Sequence, residues 1–131
     1  LGEFGLAPDS QTTDKDLDDI EANYFARGGD FSVLRSADGL IVGCVGLYRI
    51  DAATCELRKM YLDGSLRGQG LGRRLLEHAL ERARALGYRR VTLETAAVLT
   101  AARDLYLRYG FRRYVPEHLS SRCNEAYSLD L

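Results

Sequence analysis

The sequence predicts an α/β (α+β) domain in which a mixed, mainly antiparallel sheet packs against helices on both of its faces. Residues 31–62 hold three apolar strand-like runs joined by short polar turns, which is typical of an antiparallel meander. Apolar residues then recur at helical spacing between Leu71 and Leu86, with arginines and glutamates between them. A strand, a second helix and two closing strands follow, and such a succession packs as layers of helix on sheet.

The composition is that of one globular domain. The chain has 131 residues, of which 46% are hydrophobic and 28% charged, with a net charge of −1. This balance gives no reason to expect nucleic acid or an anionic membrane as a partner. No apolar run reaches the roughly 18 residues of a membrane span, and no signal peptide is visible. The sequence therefore predicts a single cytoplasmic domain over residues 1–131.

Cysteine and histidine residues give no metal-site or disulfide pattern. Cys44, Cys55 and Cys123 are odd in number, and no two of them are spaced as a CxxC pair. We expect three reduced thiols, as in cytoplasmic proteins. His78 is expected on the polar face of the first long helix and His118 in a loop, both solvated, so no metal is expected.

The N-terminal segment predicts the end of one helix and the start of another. Residues 1–6 resemble the end of a helix capped by Gly5. We therefore expect the domain to lack its first strand and the start of its first helix. Asp14 is a suitable cap for a short helix that includes Leu17, Ile20 and Tyr24 on one face.

The remaining elements follow from turn residues and periodicity. Gly39 suits a hairpin turn over Ser36–Gly39, between a strand that begins at Phe31 and a strand at 40–50. The helix over residues 71–86 is ended by Gly87, and a second helix over 101–109 is capped by Thr100 and ended by Gly110. Strands are predicted at 90–95, with Val91 and Leu93 inward, and as a closing pair at 111–115 and 124–131. In the strand 54–62, simple alternation predicts two faces, one with Cys55, Leu57, Lys59 and Tyr61, the other with Glu56, Arg58, Met60 and Leu62.

A glycine-rich loop between the third strand and the first long helix is the clearest chemical signal. Its sequence is Arg67-Gly68-Gln69-Gly70-Leu71-Gly72, followed by Arg73 and Arg74. Glycines leave backbone N–H groups unobstructed, and the helix N-terminus adds unpaired N–H groups with partial positive charge. The loop therefore predicts a site for a pyrophosphate. It lacks the Gly-Lys-Ser/Thr ending of a nucleoside-triphosphate loop, and its glycine spacing and preceding meander differ from a dinucleotide-binding fold.

Two motifs in the correct order resemble the GNAT superfamily of acetyl-CoA-dependent N-acetyltransferases. The first is Arg67-x-x-Gly70-x-Gly72, preceded by the run Glu56-Leu57-Arg58-Lys59-Met60-Tyr61-Leu62. The second, roughly 40 residues later, has Tyr106 four residues before Gly110-Phe111. The resemblance is firm over residues 31–111 and looser toward both ends.

The resemblance implies a strongly twisted sheet whose central strands splay apart to hold acetyl-CoA as cosubstrate. Backbone groups around Met60, Tyr61 and Leu62 would pair with the pantetheine arm. The pyrophosphate would be held by a set of consecutive backbone N–H groups and the preceding arginine: Arg67, Gly68, Gln69, Gly70, Leu71, Gly72 and Arg73. A homodimer is one assembly compatible with this fold.

Two residues are the candidates for catalysis of acyl transfer to an amine. The amine must lose a proton, and Glu56 is the expected general base, with Glu94 as the alternative. Tyr106 keeps its phenolic proton at neutral pH and can protonate the leaving thiolate. The acceptor is predicted to be a primary amine of a small molecule or peptide, and the acidic residues 14–21 favour a cationic one. The alternative function is a non-catalytic acyl-CoA-binding or regulatory domain of the same fold.

Overall fold

The fold is built on one seven-stranded sheet. The structure is a computed structural model, and it describes residues 4–8, 20–66, 70–95, 100–116 and 125–131. The strand order is β1-β2-β3-β4-β5-β7-β6. Only β4 and β5 pair in parallel, and the other five pairings are antiparallel. The strands are β1 (Phe4–Pro8), β2 (Asp30–Ser36), β3 (Ile41–Arg49), β4 (Thr54–Leu62), β5 (Arg90–Thr95), β6 (Arg112–Tyr114) and β7 (Glu125–Asp130).

Helical elements lie on both faces of this sheet, as the sequence predicts. They are α1 (Leu71–Ala85), α2 (Thr100–Arg108), a short π-helix (Glu21–Phe25) and a 3-10 turn (Gly64–Leu66). The apolar side of α1 packs in the larger core, whose strand residues include Leu34, Leu47 and Val91. On the opposite face, Ile20 and Tyr24 pack with Phe31 and Val33 in a smaller core. Within the described residues, no helix is long and apolar enough to cross a membrane.

The first described segment differs from the sequence prediction. Residues 4–8 form β1, which pairs antiparallel with β2, so the predicted helix end capped by Gly5 is wrong. Glycine is favoured at helix ends and depleted in strands, and the pairing with β2 is the long-range contact that overrides this local preference. Asp14, Leu17, His118 and Cys123 lie outside the described residues.

The predicted strands from residue 31 onward and the two long helices are confirmed within one or two residues at their ends. The short helix predicted after Asp14 is described only from Ile20, and it is a π-helix over Glu21–Phe25. Gly39 has φ 87° in the β2–β3 hairpin, the left-handed conformation that the sequence predicts there. Val91 and Leu93 are buried, as expected of the inward pair of β5. The closing strands do pair antiparallel, but β7 inserts between β5 and β6, so the last strand of the chain is interior to the sheet.

Because of a bulge in β4, its side chains do not follow the simple alternation that the sequence predicts. The β3–β4 register shifts between Cys44 and Gly46, and opposite this shift Lys59 has φ 57°, the one positive φ outside glycine in the described residues. A bulge inserts an extra residue and re-aims the side chains beyond it. Cys55 and Leu57 lie in the larger core, and after the bulge Met60 and Leu62 pack against the same core. Placing Met60 and Leu62 on the face of Glu56 and Arg58 is therefore wrong.

Close packing at Gly46 joins the π-helix to the sheet. A Cβ built on Gly46 would lie 2.8 Å from Cε1 of Tyr24 and 3.1 Å from Cδ2 of Phe31. These rings themselves pack edge to face with centroids 5.3 Å apart. Only a residue without a side chain fits between the strand and this aromatic pair.

A polar cluster connects β2 to α1 on the face of the sheet that α1 covers. Arg82 donates from Nε and Nη2 to both carboxylate oxygens of Asp30, at 3.1 and 3.0 Å, and Asp30 is 2% exposed. Ser32 donates to Asp30, and His78 Nε2 lies 2.8 Å from the Ser32 hydroxyl oxygen. His78 is therefore packed on the sheet, so its prediction as a solvated histidine is wrong. Helical periodicity placed it correctly on α1 but gave no information on the buried polar partner across from it.

We predict that Gly46→Ala destabilises the protein by about 1–3 kcal/mol, because the methyl group overpacks the aromatic pair. Gly5→Ala is the matched strand control, since a Cβ there meets no atom within 4 Å. Urea unfolding of both variants is the measurement. Equal stability of the two variants would contradict the packing argument.

We also predict that His78 contributes to a loss of stability in acid. Burial lowers the pKa of His78, with the Arg82 charge adding to this and the Asp30 charge opposing it. The unfolded chain then binds a proton more readily than the folded one as the pH falls through about 6.5, so protonation favours unfolding. Wild type should lose more unfolding free energy between about pH 7.5 and about pH 5.5 than His78→Gln, measured by urea unfolding at each pH. An equal or smaller loss in wild type would refute this.

Candidate active site

The separation of β4 from β5 creates a cleft in the middle of the sheet. The two strands pair in parallel at only three positions, ending at Glu56 opposite Thr92. Beyond Glu56, β4 continues for six residues with β3 on one edge, while β5 continues beside β7. Residues 57–62 therefore have no strand partner on their β5 side among the described residues. An unpaired strand edge of this kind can accept an extended ligand through main-chain hydrogen bonds.

The residues predicted to bind the pantetheine arm lie along this free edge. Met60 and Leu62 direct their side chains into the core shared with α1. Tyr61 is 58% exposed, so its side chain remains open to solvent. Because the partly buried side chains of Met60 and Leu62 pack against the core, this stretch offers backbone groups and the Tyr61 ring to a ligand in the cleft.

The N-terminus of α1 has the features of an anion site. Gly70 adopts φ 75° at the cap, no side chain caps the helix, and its first turn contains no acidic residue. A Cβ built on Gly70 or Gly72 would meet no atom within 4 Å. Arg73 and Arg74 in the first turn are exposed, while Leu71 is buried. The first backbone N–H groups of the helix thus lack intrahelical partners and face cationic surroundings. Arg67, Gly68 and Gln69 lie outside the described residues.

Glu56 lies at the point where the two strands part. Its side chain is 17% exposed, and its carboxylate accepts a hydrogen bond from Nε of Arg58. Its strand neighbours Cys55 and Leu57 point into the core shared with α1. Alternation therefore directs Glu56 to the opposite face of the sheet.

Tyr106 lies on the other face, within the core shared with α1. It is 8% exposed and packs edge to face with Phe111, with ring centroids 5.7 Å apart. Burial raises the pKa of Tyr106 above its ordinary value, so the phenol keeps its proton at neutral pH. Among the described residues, the Tyr106 hydroxyl has no hydrogen-bond partner. The spacing of Tyr106 and Gly110-Phe111 in the sequence thus corresponds to a direct ring contact.

The alternative base, Glu94, lies on the other strand of the cleft. It is half-buried on β5, and its neighbours Leu93 and Thr95 are buried. Leu93 points into the core shared with α1, so alternation puts Glu94 on the same face as Glu56. Position alone leaves both carboxylates as candidates.

A cluster around Tyr48 was not predicted as part of the site. Tyr48 is opposite Glu56 on β3. The Arg58 guanidinium lies over the Tyr48 ring, 3.8 Å from its centroid, and that of Arg27 lies 4.5 Å from it. Arg27 also donates to the Tyr48 hydroxyl. Nothing local to the sequence indicates that Arg27 and Tyr48 join Glu56 and Arg58.

Glu125 is a second feature that sequence reasoning missed. This carboxylate on β7 is 5% exposed and accepts a hydrogen bond of 2.9 Å from Tyr127. Arg113 and Arg103 lie 3.4 and 3.8 Å from its other oxygen. These contacts tie β6, β7 and α2 together beside Tyr106, whose ring centroid is 6.5 Å from that of Tyr127.

The described residues include two cysteines that form no disulfide, Cys44 and Cys55. The Cys44 thiol donates to the Lys59 carbonyl oxygen, and burial raises the pKa of Cys55 to about 12. Such a thiol stays protonated and unreactive at neutral pH. Within the described part of the chain, no three His, Cys, Asp or Glu side chains form a group that could hold a metal ion.

Comparison with protein families gives one match that covers most of the chain. Residues 4–111 match the model described as the acetyltransferase (GNAT) family. Among curated proteins, an uncharacterized N-acetyltransferase of Escherichia coli, YjgM, is 37% identical over 114 residues, which is 83% of this chain and 68% of that protein. The N-acetylaspartate synthetase of Danio rerio is 39% identical over 75% of this chain, but the chain spans only 35% of that protein's length.

Solved structures share the fold at low sequence identity. A GNAT-family acetyltransferase from Staphylococcus aureus Mu50 superposes with a TM-score of 0.87 at 22% identity, covering 98% of this chain and 99% of that one. A GNAT-family acetyltransferase from Elizabethkingia anophelis, solved with acetyl-CoA bound, has a TM-score of 0.75 at 20% identity, covering 98% of each chain. The splayed, mixed sheet is therefore an architecture already seen in acetyltransferases.

Proposed function

Because the chain belongs to the GNAT family of N-acetyltransferases, we propose that it transfers an acetyl group from acetyl-CoA to a primary amine of a small molecule or peptide. The amine attacks the thioester directly while both substrates are bound. The observation that carries this proposal is the parting of β4 and β5 after Glu56, next to an uncapped helix N-terminus. One cleft can therefore hold a long cosubstrate with an anionic end.

Acetyl-CoA fits the two halves of the cleft. Its pantetheine arm would lie along the free edge of residues 57–62 like an added strand. Its pyrophosphate would accept hydrogen bonds from the N–H groups of Leu71, Gly72 and Arg73, with the loop residues Arg67, Gly68 and Gln69 completing the contacts. The absence of a Cβ at Gly70 and Gly72 leaves room for phosphate oxygens near the backbone. A GNAT enzyme of known structure binds acetyl-CoA, which supports this choice.

Glu56 is our candidate for the general base. An amine is protonated near neutral pH and must lose that proton before its nitrogen can attack the thioester carbonyl. The carboxylate lies at the apex of the cleft, on the face opposite α1, so the acceptor would approach from that face. Proton transfer would be direct or through one water molecule.

Tyr106 is our candidate for the general acid. Attack by the amine produces a tetrahedral intermediate, and its collapse expels the thiolate of CoA, which needs a proton or a hydrogen bond. A phenol whose pKa is raised by burial is protonated and able to donate. Base and acid then act from opposite faces of the sheet, with the thioester between them.

We predict that Gly70→Glu abolishes binding of acetyl-CoA, because a carboxylate at the helix N-terminus would repel the pyrophosphate and occupy its space. Calorimetric titration with acetyl-CoA, free CoA and an unrelated dinucleotide measures this. Wild type should bind the first two with low-micromolar affinity or better, roughly −8 kcal/mol.

Gly39→Glu is the matched control for this variant. Gly39 also has a positive φ, of 87°, and open space around its Cβ position. Gly39→Glu therefore adds the same charge and the same type of backbone strain as Gly70→Glu. If Gly39→Glu loses acetyl-CoA binding as well, or Gly70→Glu retains it, the assignment of the anion site is wrong.

We further predict that Glu56→Gln and Tyr106→Phe each lower kcat by about 100-fold or more, the usual range for loss of general acid or base catalysis. Both should leave the affinity for acetyl-CoA near that of wild type. Thiol release with a panel of amines gives kcat, and the calorimetric titration gives the affinity.

A tyrosine on the same helix as Tyr106 gives a matched control, and a second glutamate allows a test of the alternative base. Tyr109→Phe removes a hydroxyl from the same helix, one that donates to Glu77 instead. Glu94→Gln tests the alternative base. Unchanged turnover in both Glu56→Gln and Tyr106→Phe would contradict the assignment of Glu56 as general base and Tyr106 as general acid. Tight acetyl-CoA binding without turnover of any amine would favour a non-catalytic acyl-CoA-binding domain.

A further inference from the structure

The cluster of Arg27, Tyr48 and Arg58 beside Glu56 points to the kind of acceptor. We propose that these two arginines bind a carboxylate of the acceptor, so that the amine substrate is a small amino acid rather than a peptide or a polyamine. This inference rests on the proposed function, since it takes Glu56 to mark the position of the acceptor amine.

Arg58 has part of its hydrogen-bonding capacity free. Its Nε donates to Glu56, and its guanidinium carbon lies over the Tyr48 ring, 3.8 Å from the centroid. A guanidinium has five N–H donors in a fixed fork that suits two carboxylate oxygens at once. Among the described residues, the terminal nitrogens of Arg58 have no acceptor, and its side chain is 40% exposed. A substrate can therefore reach that edge from solvent.

Arg27 adds a second cation on the same aromatic side chain. It projects from the segment that follows the π-helix, contacts the Tyr48 ring at 4.5 Å and donates to its hydroxyl. Stacking on an aromatic face holds a guanidinium in place at little cost in hydration. Both guanidinium carbons lie within 4.5 Å of the same ring centroid, so Tyr48 holds two cations in one cluster next to Glu56.

The charges of the cluster match a zwitterion. Glu56 compensates one of the two arginines, which leaves one positive charge without a partner among the described residues. Glu56 and Arg58 touch directly, so a substrate that meets both must carry its ammonium and carboxylate only a few atoms apart. Free amino acids have this arrangement, whereas an internal peptide amine does not.

The test compares amino acids with their own carboxamides and with the corresponding decarboxylated amines. Thiol release from acetyl-CoA gives kcat and KM, and calorimetric titration of the protein–CoA complex gives binding that does not depend on turnover. Wild type should favour an amino acid over its carboxamide by about 10-fold or more in kcat/KM, as expected for a hydrogen bond to a charged group.

Arginine variants then identify the residues responsible. Arg27→Gln and Arg58→Gln should raise KM for amino acids by about 10- to 100-fold and bring the acid-to-amide ratio close to one. Arg58→Lys should restore the preference only in part, because it keeps the charge and loses the fork. Arg27→Gln is the sharper variant, because Arg27 does not contact Glu56. Arg84→Gln, at an exposed position on α1, is the matched control and should leave the ratio unchanged.

Each outcome separates this inference from the proposed function. Turnover of carboxamides, peptides or polyamines at rates equal to or above those of amino acids would overturn the inference and leave the acetyltransferase proposal intact. A ratio that stays high in both glutamine variants would also overturn it. Arginine-dependent binding of amino acids without any acetyl transfer would support carboxylate binding by the two arginines, but it would refute the proposed function and with it the role of the amino acid as acceptor.

Discussion

The parallel contact between β4 and β5, which lasts for three residue pairs and then stops, is the constraint on which the rest of the structure depends. Up to Glu56 the two strands hold the sheet together, and after it they open a cleft through its centre. The opening needs compensation, because unpaired backbone groups are costly when buried. Here β4 stays paired with β3, β5 stays paired with β7, and only one edge of each strand is left for a ligand.

The bulge at Lys59 makes this cleft compatible with a packed core. Without it, strict alternation would turn Met60 and Leu62 away from α1 and leave the end of β4 unsupported. Because of the extra residue, both side chains pack against the larger core. The bulge requires a positive φ at Lys59, which is a local backbone strain. As a result, β4 can separate from β5 while Met60 and Leu62 still pack against the core shared with α1.

The polar side chains differ between the two faces of the sheet. On the α1 face, Asp30 and Arg82 form a bidentate pair that fixes the helix against β2, and Tyr106 lies in an apolar setting. On the opposite face, Glu56 and Arg58 remain partly open to solvent above the tyrosines. The acidic residues 14–21 suggested a cationic acceptor, but they lie mostly outside the described residues. The described cations around Tyr48 support an anionic group instead.

The sequence by itself determined the elements and the motifs, because these depend on neighbours along the chain. Helical spacing specified α1 and Gly87 its end, and the spacing of Tyr106 and Gly110-Phe111 indicated the family motif. The contact between the rings of Tyr106 and Phe111 came only from the structure. Only the tertiary structure decided where β4 and β5 part, where the bulge falls, and that Arg27 reaches Tyr48 across 21 residues of chain. Strand register and the meeting of distant side chains are set by pairing between segments far apart in sequence, and local patterns carry no information on that pairing.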